Sequence, residues 1–548
     1  MPHRPSTRCS ARSALCRAGG LAAGRRALLR VPVGLVDRPY QQRRDQLLID
    51  LAGGSGHLVV VGGPRTGKST ALATTVLGLA LTHTPDELGV HVLDFGGGAL
   101  IPLAGLPHVG TVADRQEVDL VRRTVAELSA VLARRERLFR DAGIASVQEF
   151  RARRAAGAHP AEPSTDLLLV VDGYLTLRGE FEDLEARLLP LAAQGLSYGL
   201  HLAVSAGRWS ELRPALKDLL GGRVELRLGE PSESEVDRRR AAEVPARPGH
   251  GLAPDGAPAV LAAPRLGAGA TDQAALVAAI AAAWPGAGVP PVRLLPERID
   301  HDRLPVAPTG ATGIPIGVDE ERLERVEIDF AAEPHLICFA DAESGKTNLL
   351  RLVARGVTSR HLPEAARVVV VDHRRTLLGI VPDTHLIGYA STVDATAEAA
   401  REVAASLRGR LPGPEVTPRQ LRERSWWTGP DVYVLVDDYD LVAPGGGAQH
   451  PLLPLVGFLP QAKDVGLHLV VARRCGGAGR ALFDPLLGRL RELAAPGLVM
   501  NGSPDEGALV ESVKPAPLPP GRATLVDRRR GTRRIQLAWL PPDAEDGP

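Results

Sequence analysis

Lysine is nearly missing from this chain. Of its 65 basic residues, only Lys68, Lys217, Lys346, Lys463 and Lys514 are lysine, and the rest are arginine. Ala, Gly, Pro and Arg dominate, which is the signature of a GC-rich genome, so arginine abundance by itself says little about nucleic acid. An excess of one charge is missing too. The 65 basic and 64 acidic residues leave a net charge of +1, which gives no global field for steering a polyanion. The four cysteines, Cys9, Cys16, Cys338 and Cys475, form no C-x-x-C pair, which argues against a zinc ribbon or a dense disulfide framework. No apolar run reaches the length of a membrane-spanning helix. Work at a membrane therefore calls for a partner that holds the chain there.

The 548 residues, 44% of them hydrophobic, suit two to four globular domains, with two large ones the simplest division. Residues 1–28 are Ser-, Ala- and Arg-rich and carry Arg4, Arg8, Arg12, Arg17, Arg25 and Arg26 with no acid. They resemble a transit peptide on paper but lack the apolar centre of a secretory signal. The expectation is a disordered leader or a start assigned too early. From residue 29 onward, apolar runs such as His57-Leu58-Val59-Val60-Val61, Val90-His91-Val92-Leu93 and Leu167-Leu168-Leu169-Val170-Val171 alternate with helical spacing. One such helix is expected over 117–139, with Val118, Val121, Val125, Leu128 and Leu132 on one face. This alternation predicts an α/β fold, a mostly parallel sheet with helices on both faces.

The second half echoes the first. Pro32-Val33-Gly34 matches Pro315-Ile316-Gly317, and Gly199-Leu200-His201-Leu202 matches Gly466-Leu467-His468-Leu469. Lys68 matches Lys346, Asp94 matches Asp372, and Pro248-Gly249 matches Pro520-Gly521. Two copies of one α/β unit account for these registers. The expected organisation is a first P-loop domain over 29–265, an Ala-, Pro- and Gly-rich connection over 266–300 and a degenerate second domain over 301–548.

Gly62-Gly63-Pro64-Arg65-Thr66-Gly67-Lys68-Ser69 is a complete G-x-x-x-x-G-K-[ST] motif between a strand and a helical run that opens at Thr70. Its glycines let backbone N–H groups turn inward around phosphate oxygens at a helix N-terminus. Lys68 is placed to reach the β/γ-phosphates and Ser69 to ligate Mg²⁺. The second loop is Ala340-Asp341-Ala342-Glu343-Ser344-Gly345-Lys346-Thr347; with Asn348 after it, as with Thr70 after the first loop, these residues are the expected nucleotide contacts, and Thr347 is placed like Ser69 for Mg²⁺. Ala340 stands where the first glycine belongs, and Asp341 and Glu343 put carboxylates into an anion cradle. Like charges there weaken nucleotide binding unless they point away, so the second site is expected to be the weaker.

Asp172 and Asp437 each end an apolar strand, where a carboxylate can hold Mg²⁺ directly or through water. A glutamate that activates the attacking water normally follows. Here the next residue is Gly173 in the first copy and Asp438 in the second. Gly173 cannot act as a base, and Asp438, one methylene short, is the sole weak catalytic candidate. Nucleotide binding is therefore expected, with weak or absent hydrolysis.

Taken together, the chain from residue 29 resembles the last two ATPase domains of EccC, the FtsK/SpoIIIE-like motor of type VII secretion. The resemblance rests on the 29–39 stretch (Leu29 to Pro39), the first phosphate loop, and Leu93-Asp94-Phe95-Gly96-Gly97-Gly98. It also rests on the stretches at 180–185 and 213–218, the second loop, Ser425-Trp426-Trp427 and Val436-Asp437-Asp438-Tyr439-Asp440. It implies two tandem RecA-like P-loop domains that bind ATP and Mg²⁺ and regulate the motor. It further implies receipt of small WXG-motif heterodimers of the EsxA/EsxB type, the last domain taking their C-terminal export signal. A membrane-anchored EccC partner chain and a secretion pore are the implied partners, and the implied location is cytoplasmic, peripheral to the cell membrane through them. The resemblance leaves open a homo-oligomer such as a hexamer, and a truncated larger gene behind the unusual N-terminus.

Other features read as structural. Asp94-Phe95-Gly96 spells a kinase triplet without a kinase catalytic loop. Arg208, Arg473 and Arg474 end strands, where they can sense phosphate or simply sit at the surface. Trp426 and Trp427 read as packing residues, and the Arg-rich stretch 528–534 as a turn between two short strands. Alternatives are a DNA translocase of the FtsK kind and a scaffold that never uses nucleotide. Gly173 and the missing basic field speak against the translocase, so nucleic acid is not an expected partner.

Overall fold

The computed structural model describes residues 28–264, 273–284, 286–307, 310–443 and 450–542. All but the last residue of the expected leader, and part of the expected connection, lie outside them. The chain divides into two compact units, the first ending at Leu294 and the second beginning at Leu295.

Unit 1 is built on one ten-stranded sheet. Its strands are β1 Arg30–Arg38, β2 Arg43–Asp50, β3 Leu58–Val61, β4 Leu88–Asp94 and β5 Val109–Asp114. They continue as β6 Asp166–Asp172, β7 Leu200–Ala206, β8 Gly222–Leu226, β9 His250–Leu252 and β10 Pro258–Leu261. The order is β2-β1-β10-β9-β8-β3-β7-β6-β4-β5. From β8 to β5 the strands run parallel, and the remaining four form an antiparallel wing. Every residue of β3, β4, β6 and β7 is buried, as expected of strands covered on both faces.

Alternate residues of β3 feed two cores. Leu58 and Val60 join the core that includes Leu72, Val76 and Leu79 of α1, Lys68–Ala80. Val59 and Val61 join the opposite core with Val121, Val125 and Leu128 of α2, Val118–Asp141. A third helix, α3 Gln273–Ala283, buries Leu276, Val277 and Ile280 in the first of these cores. The Ala-rich helix expected within the 266–300 connection thus packs into unit 1, because its apolar residues have a core to complete.

Unit 2 repeats the plan. Its strands are β11 Ile299–Asp300, β12 Ile314–Asp319, β13 Arg325–Ile328, β14 His335–Phe339, β15 Ala366–Val371 and β16 Leu386–Ala390. They continue as β17 Asp431–Val436, β18 Leu467–Arg473, β19 Gly497–Val499, β20 Arg522–Asp527 and β21 Gly531–Trp539. The order β13-β12-β21-β20-β19-β14-β18-β17-β15-β16 matches unit 1 strand for strand, with β11 added beside β21. The helix after β14 is α4, Lys346–Arg360.

The repeated sequence echoes acquire physical reasons here. In each P-x-G echo the strand pairing shifts register, between Pro32 and Gly34 and between Pro315 and Gly317. A side chain on Gly34 would lie 2.3 Å from Val260 O, and one on Gly317 2.0 Å from Gln536 O. Only glycine lets the neighbouring strand close at that irregularity. The Arg-rich stretch is a hairpin turn as expected, but tighter, since β21 already begins at Gly531 and pairs with Asp527.

Candidate nucleotide site

In both units the phosphate-loop motif occupies the turn between a buried strand and a helix. In unit 1 the loop leaves β3, and α1 begins at Lys68. Gly67 has φ 104° and Arg65 has φ 58°; in unit 2, Gly345 has φ 115° and Glu343 has φ 59°. The two loops share this left-handed pair, so the backbone geometry of the motif survives the loss of the first glycine. Ala340 N donates to Arg473 O at 3.0 Å just as Gly62 N donates to Ala206 O at 3.1 Å. Pro64, Arg65 and Thr70 are exposed and Ser69 half-buried.

The second Pro-Gly echo braces these loops. Gly249 N donates to Thr66 O and Gly521 N to Ser344 O, both at 2.8 Å. Within the first loop, Thr66 Oγ1 donates to Gly63 O at 2.9 Å. Ser344 bonds instead to Ala342 O at 3.3 Å. Neither glycine of the echo was singled out as functional from sequence, although the repeat register pointed at both.

The lysines lie back along their own loops. Lys68 Nζ donates to Gly62 O and Gly63 O at 2.8 and 2.9 Å. Burial lowers its pKa, while Asp172 and Glu211 oppose that effect. Lys346 Nζ donates to Asp341 O at 3.2 Å and lies 3.6 Å from Asp438 Oδ1. Glu343 is exposed and Asp341 half-buried. Asn348 is buried, and its amide is committed to Ala538 O at 2.7 Å and Leu540 N at 2.9 Å. That engagement ties α4 to the end of β21.

The two strand-end aspartates differ in their contacts. Asp172 Oδ1 accepts from Ser205 Oγ, whereas its buried Oδ2 has no hydrogen-bond partner. A Cβ on Gly96 would fall 2.3 Å from that oxygen and 3.4 Å from Ser69 Oγ. The absent side chain thus leaves space beside an orphaned carboxylate oxygen and the motif hydroxyl, which fits a divalent cation. In unit 2, Asp437 Oδ2 accepts from Thr347 Oγ1 at 2.6 Å and Thr376 Oγ1 at 3.2 Å. Burial raises the Asp437 pKa, and the neighbouring Asp438 and Asp372 add to the rise, so a cation beside it would relieve a desolvated charge. Among the described residues no cluster of three or more His, Cys, Asp or Glu can hold a metal. A cation at either pair would draw its remaining ligands from phosphate and water, as Mg²⁺ does.

After the strand-end acid, the units diverge. Gly173, with φ 93°, donates its N–H to Ser205 Oγ at 2.9 Å and offers no side chain. Asp438, with φ 42°, holds Arg374 Nε at 2.7 Å. The remaining sequence candidates have structural partners. Arg473 donates to the carbonyls of Arg474, Gly476 and Gly477. Arg474 pairs with Asp440 at 2.9 Å, and Arg208 lies 3.6 Å from Glu233. Asp94 accepts from Gly96 N and Leu100 N, closing the turn after β4. Trp427 stacks on the Arg410 guanidinium at 4.4 Å, and Trp426 Nε1 donates to Arg410 O at 2.7 Å.

Comparison with known proteins places this arrangement. The FtsK/SpoIIIE family matches residues 23–268. The chain is 49% identical over 521 residues to the ESX secretion system protein EccC of Thermomonospora curvata, covering 94% of this chain and 39% of that protein. It is 38% identical over 545 residues to the ESX-1 secretion system protein EccCb1 of Mycobacterium tuberculosis, covering 96% of this chain and 91% of the relative. The solved structure of ATPases 2 and 3 of T. curvata EccC, in complex with a signal sequence peptide, superposes with a TM-score of 0.86 at 49% identity and covers 95% of both chains. The P-loop ATPases of this kind use nucleotide together with Mg²⁺. The chain belongs to the EccC family of ESX secretion system proteins, within the FtsK/SpoIIIE ATPases, and carries two tandem RecA-like domains that correspond to ATPases 2 and 3.

Proposed function

We propose that this chain is the ATP-Mg²⁺-binding, regulatory and substrate-receiving part of a type VII, ESX-like protein secretion motor. Residues 62–70 would bind nucleotide in unit 1 and residues 340–348 in unit 2, with Lys68 and Lys346 as the cations. Ser69 with Asp172, and Thr347 with Asp437, would hold Mg²⁺. Hydrolysis by this chain alone would be weak or absent, because Gly173 supplies no base and Asp438 is engaged by Arg374 and Lys346. ATP would then act chiefly by stabilising the folded units and their interfaces. Motion would come from a membrane-anchored EccC partner chain at the secretion pore, leaving this chain cytoplasmic and peripheral. No helix among the described residues is long and apolar enough to cross a membrane.

The observation that carries the substrate-receiving half is a difference between two equivalent sheet edges. In unit 1, residues 287–293 run over the edge strand β5. Val289 N donates to Pro107 O at 2.7 Å, Val292 N to Thr111 Oγ1 at 2.9 Å, and Arg293 O accepts from Arg123 at 3.2 Å. Beside them α3 packs onto the turn at Gly105, where a Cβ would come within 2.8 Å of Val277. In unit 2 the corresponding strand is β16. There Ile387 is 50% exposed, and Leu378 in the preceding turn is 61% exposed. Unit 1 covers this edge with its own extended segment and apolar helix, so the edge is built to take such a segment.

The reading places the C-terminal export signal of a WXG-motif, EsxA/EsxB-like heterodimer on that edge. The complex of the T. curvata relative with a signal sequence peptide supports it. The test is fluorescence anisotropy with a labelled peptide carrying such a signal. Ile387→Asp should weaken binding roughly tenfold or more without moving the melting temperature, while Ile101→Asp on unit 1 leaves it unchanged. Equal binding by wild type and Ile387→Asp would remove this site from the account.

A further inference from the structure

We propose that Asp438 is an internal competitor of nucleotide phosphate for Lys346, held in place by Arg374, and that this pair sets the nucleotide response of the second loop. The inference rests on reading both loops as nucleotide sites.

The two units differ at two positions in concert. Strand register equates Asp94 with Asp372 and Asp172 with Asp437. The position two residues after the first of these is Gly96 in unit 1 and Arg374 in unit 2. The position after the second is Gly173 in unit 1 and Asp438 in unit 2. Unit 1 therefore has glycine at both places and unit 2 has an ion pair, with Arg374 Nε 2.7 Å from Asp438 Oδ2. The other carboxylate oxygen of Asp438 lies 3.6 Å from Lys346 Nζ. The side chains of Lys346 and Asp438 are 9% and 10% exposed, so water screens their attraction little. In unit 1 the equivalent lysine donates to the carbonyls of its own loop, and Asp172 and Glu211 act on it through space without an ion pair within 4 Å among the described residues.

Backbone conformation sharpens the contrast. Gly173 adopts its left-handed conformation freely at φ 93°, whereas Asp438 holds φ 42° as a non-glycine residue. The carboxylate that this conformation presents to Lys346 sits next to the cation pair of Thr347 and Asp437, where Asp438 N donates to Asp437 Oδ1 at 2.9 Å. A phosphate that reaches Lys346 must displace this carboxylate. The penalty falls most heavily on the outermost phosphate, which carries the most charge toward Asp438. Arg374 is 53% exposed and so can swing away with the carboxylate or turn to the incoming phosphate. The second site should then discriminate less in favour of ATP over ADP than the first, and fill only at high ATP.

The test uses the full chain in a Lys68→Ala background, so that titration with fluorescent ATP or ADP and Mg²⁺ reads unit 2. Asp438→Asn retains a residue that tolerates the left-handed backbone, and Asp438→Gly copies unit 1. Both should tighten ATP binding roughly tenfold or more and ADP binding less than about threefold. Glu398→Gln, which removes an equal but exposed charge from unit 2 away from the loop, should change affinity less than about twofold. Unchanged or weaker ATP binding in both Asp438 variants, with thermal unfolding intact, would overturn the competitor role while leaving unit 2 a nucleotide site. Absence of nucleotide binding in wild type and both variants would overturn both readings.

Discussion

The proposed first cation position lies between Asp172 and Gly96, where a single methyl on Gly96 would fall 2.3 Å from the orphaned Asp172 Oδ2. Gly96 has no left-handed φ to forfeit, so the backbone tolerates Gly96→Ala, while its methyl must push the Asp172 carboxylate out of its present position. We expect it to weaken Mg²⁺-dependent ATP binding at the first loop roughly tenfold or more, with little effect on binding measured in EDTA. Isothermal titration with and without Mg²⁺ decides this, and equal Mg²⁺ dependence in variant and wild type would count against the cation position. The lysines, motif hydroxyls and strand-end aspartates were legible in the sequence because spacing along one chain segment defines them. Gly96, Ser205, Thr376 and Arg374 were not, because they join the site only when parallel strands bring separate turns to one sheet end. Asn348 adds a structural tie that its place beside the motif did not announce, because its amide bridges Ala538 and Leu540.

The doubled element plan is fastened by a doubled histidine. His57 Nε2 donates to Ala192 O at 2.8 Å while Nδ1 accepts from Leu202 N at 3.0 Å. His335 repeats this with Leu459 O at 3.3 Å and Leu469 N at 3.2 Å. Burial lowers both pKa values to about 4, and protonating Nδ1 would forfeit the strand N–H. The unfolded chain, with histidine near 6.5, binds these protons first. Each histidine therefore stabilises the fold fully above about pH 6.5 and progressively less as pH falls toward 4, by up to about 2 kcal/mol at pH 5. His91, also lowered to about 4 by burial, acts in the same direction. Urea midpoints should thus fall between pH 7 and pH 5. His57→Gln with His335→Gln, whose amides can accept the same N–H groups, should flatten that fall; an unaltered slope would refute the assignment. The central parallel strands were legible as apolar runs. The antiparallel wing was less so, because β9 and β10 are three and four residues long and carry no periodicity of their own. The Pro-x-Gly and Pro-Gly echoes marked the wing without revealing that they serve as a bulge and a loop brace.

At the scale of the molecule, two copies of one fold have been specialised in opposite directions. Unit 1 keeps the complete phosphate motif, an orphaned carboxylate oxygen and a sheet edge covered by residues 287–293 and α3. Unit 2 keeps the geometry of the motif but turns an aspartate onto its lysine and leaves the matching edge exposed at Ile387. Duplication was legible in the sequence, but the fate of the connection was not, since a helix of Ala, Leu, Val and Ile gives no sign of which surface it covers. The central claim is an asymmetric pair of nucleotide sites in a chain that binds far better than it turns over. Equilibrium ATP binding and steady-state turnover by the purified wild type, Lys68→Ala and Lys346→Ala test it most directly. The account predicts that Lys68→Ala loses the tighter site, that Lys346→Ala retains it, and that wild-type turnover stays well below about 1 s⁻¹, the low end of ordinary enzymes. Equal affinity losses in the two variants, or turnover above about 1 s⁻¹ that Lys68→Ala abolishes, would contradict it.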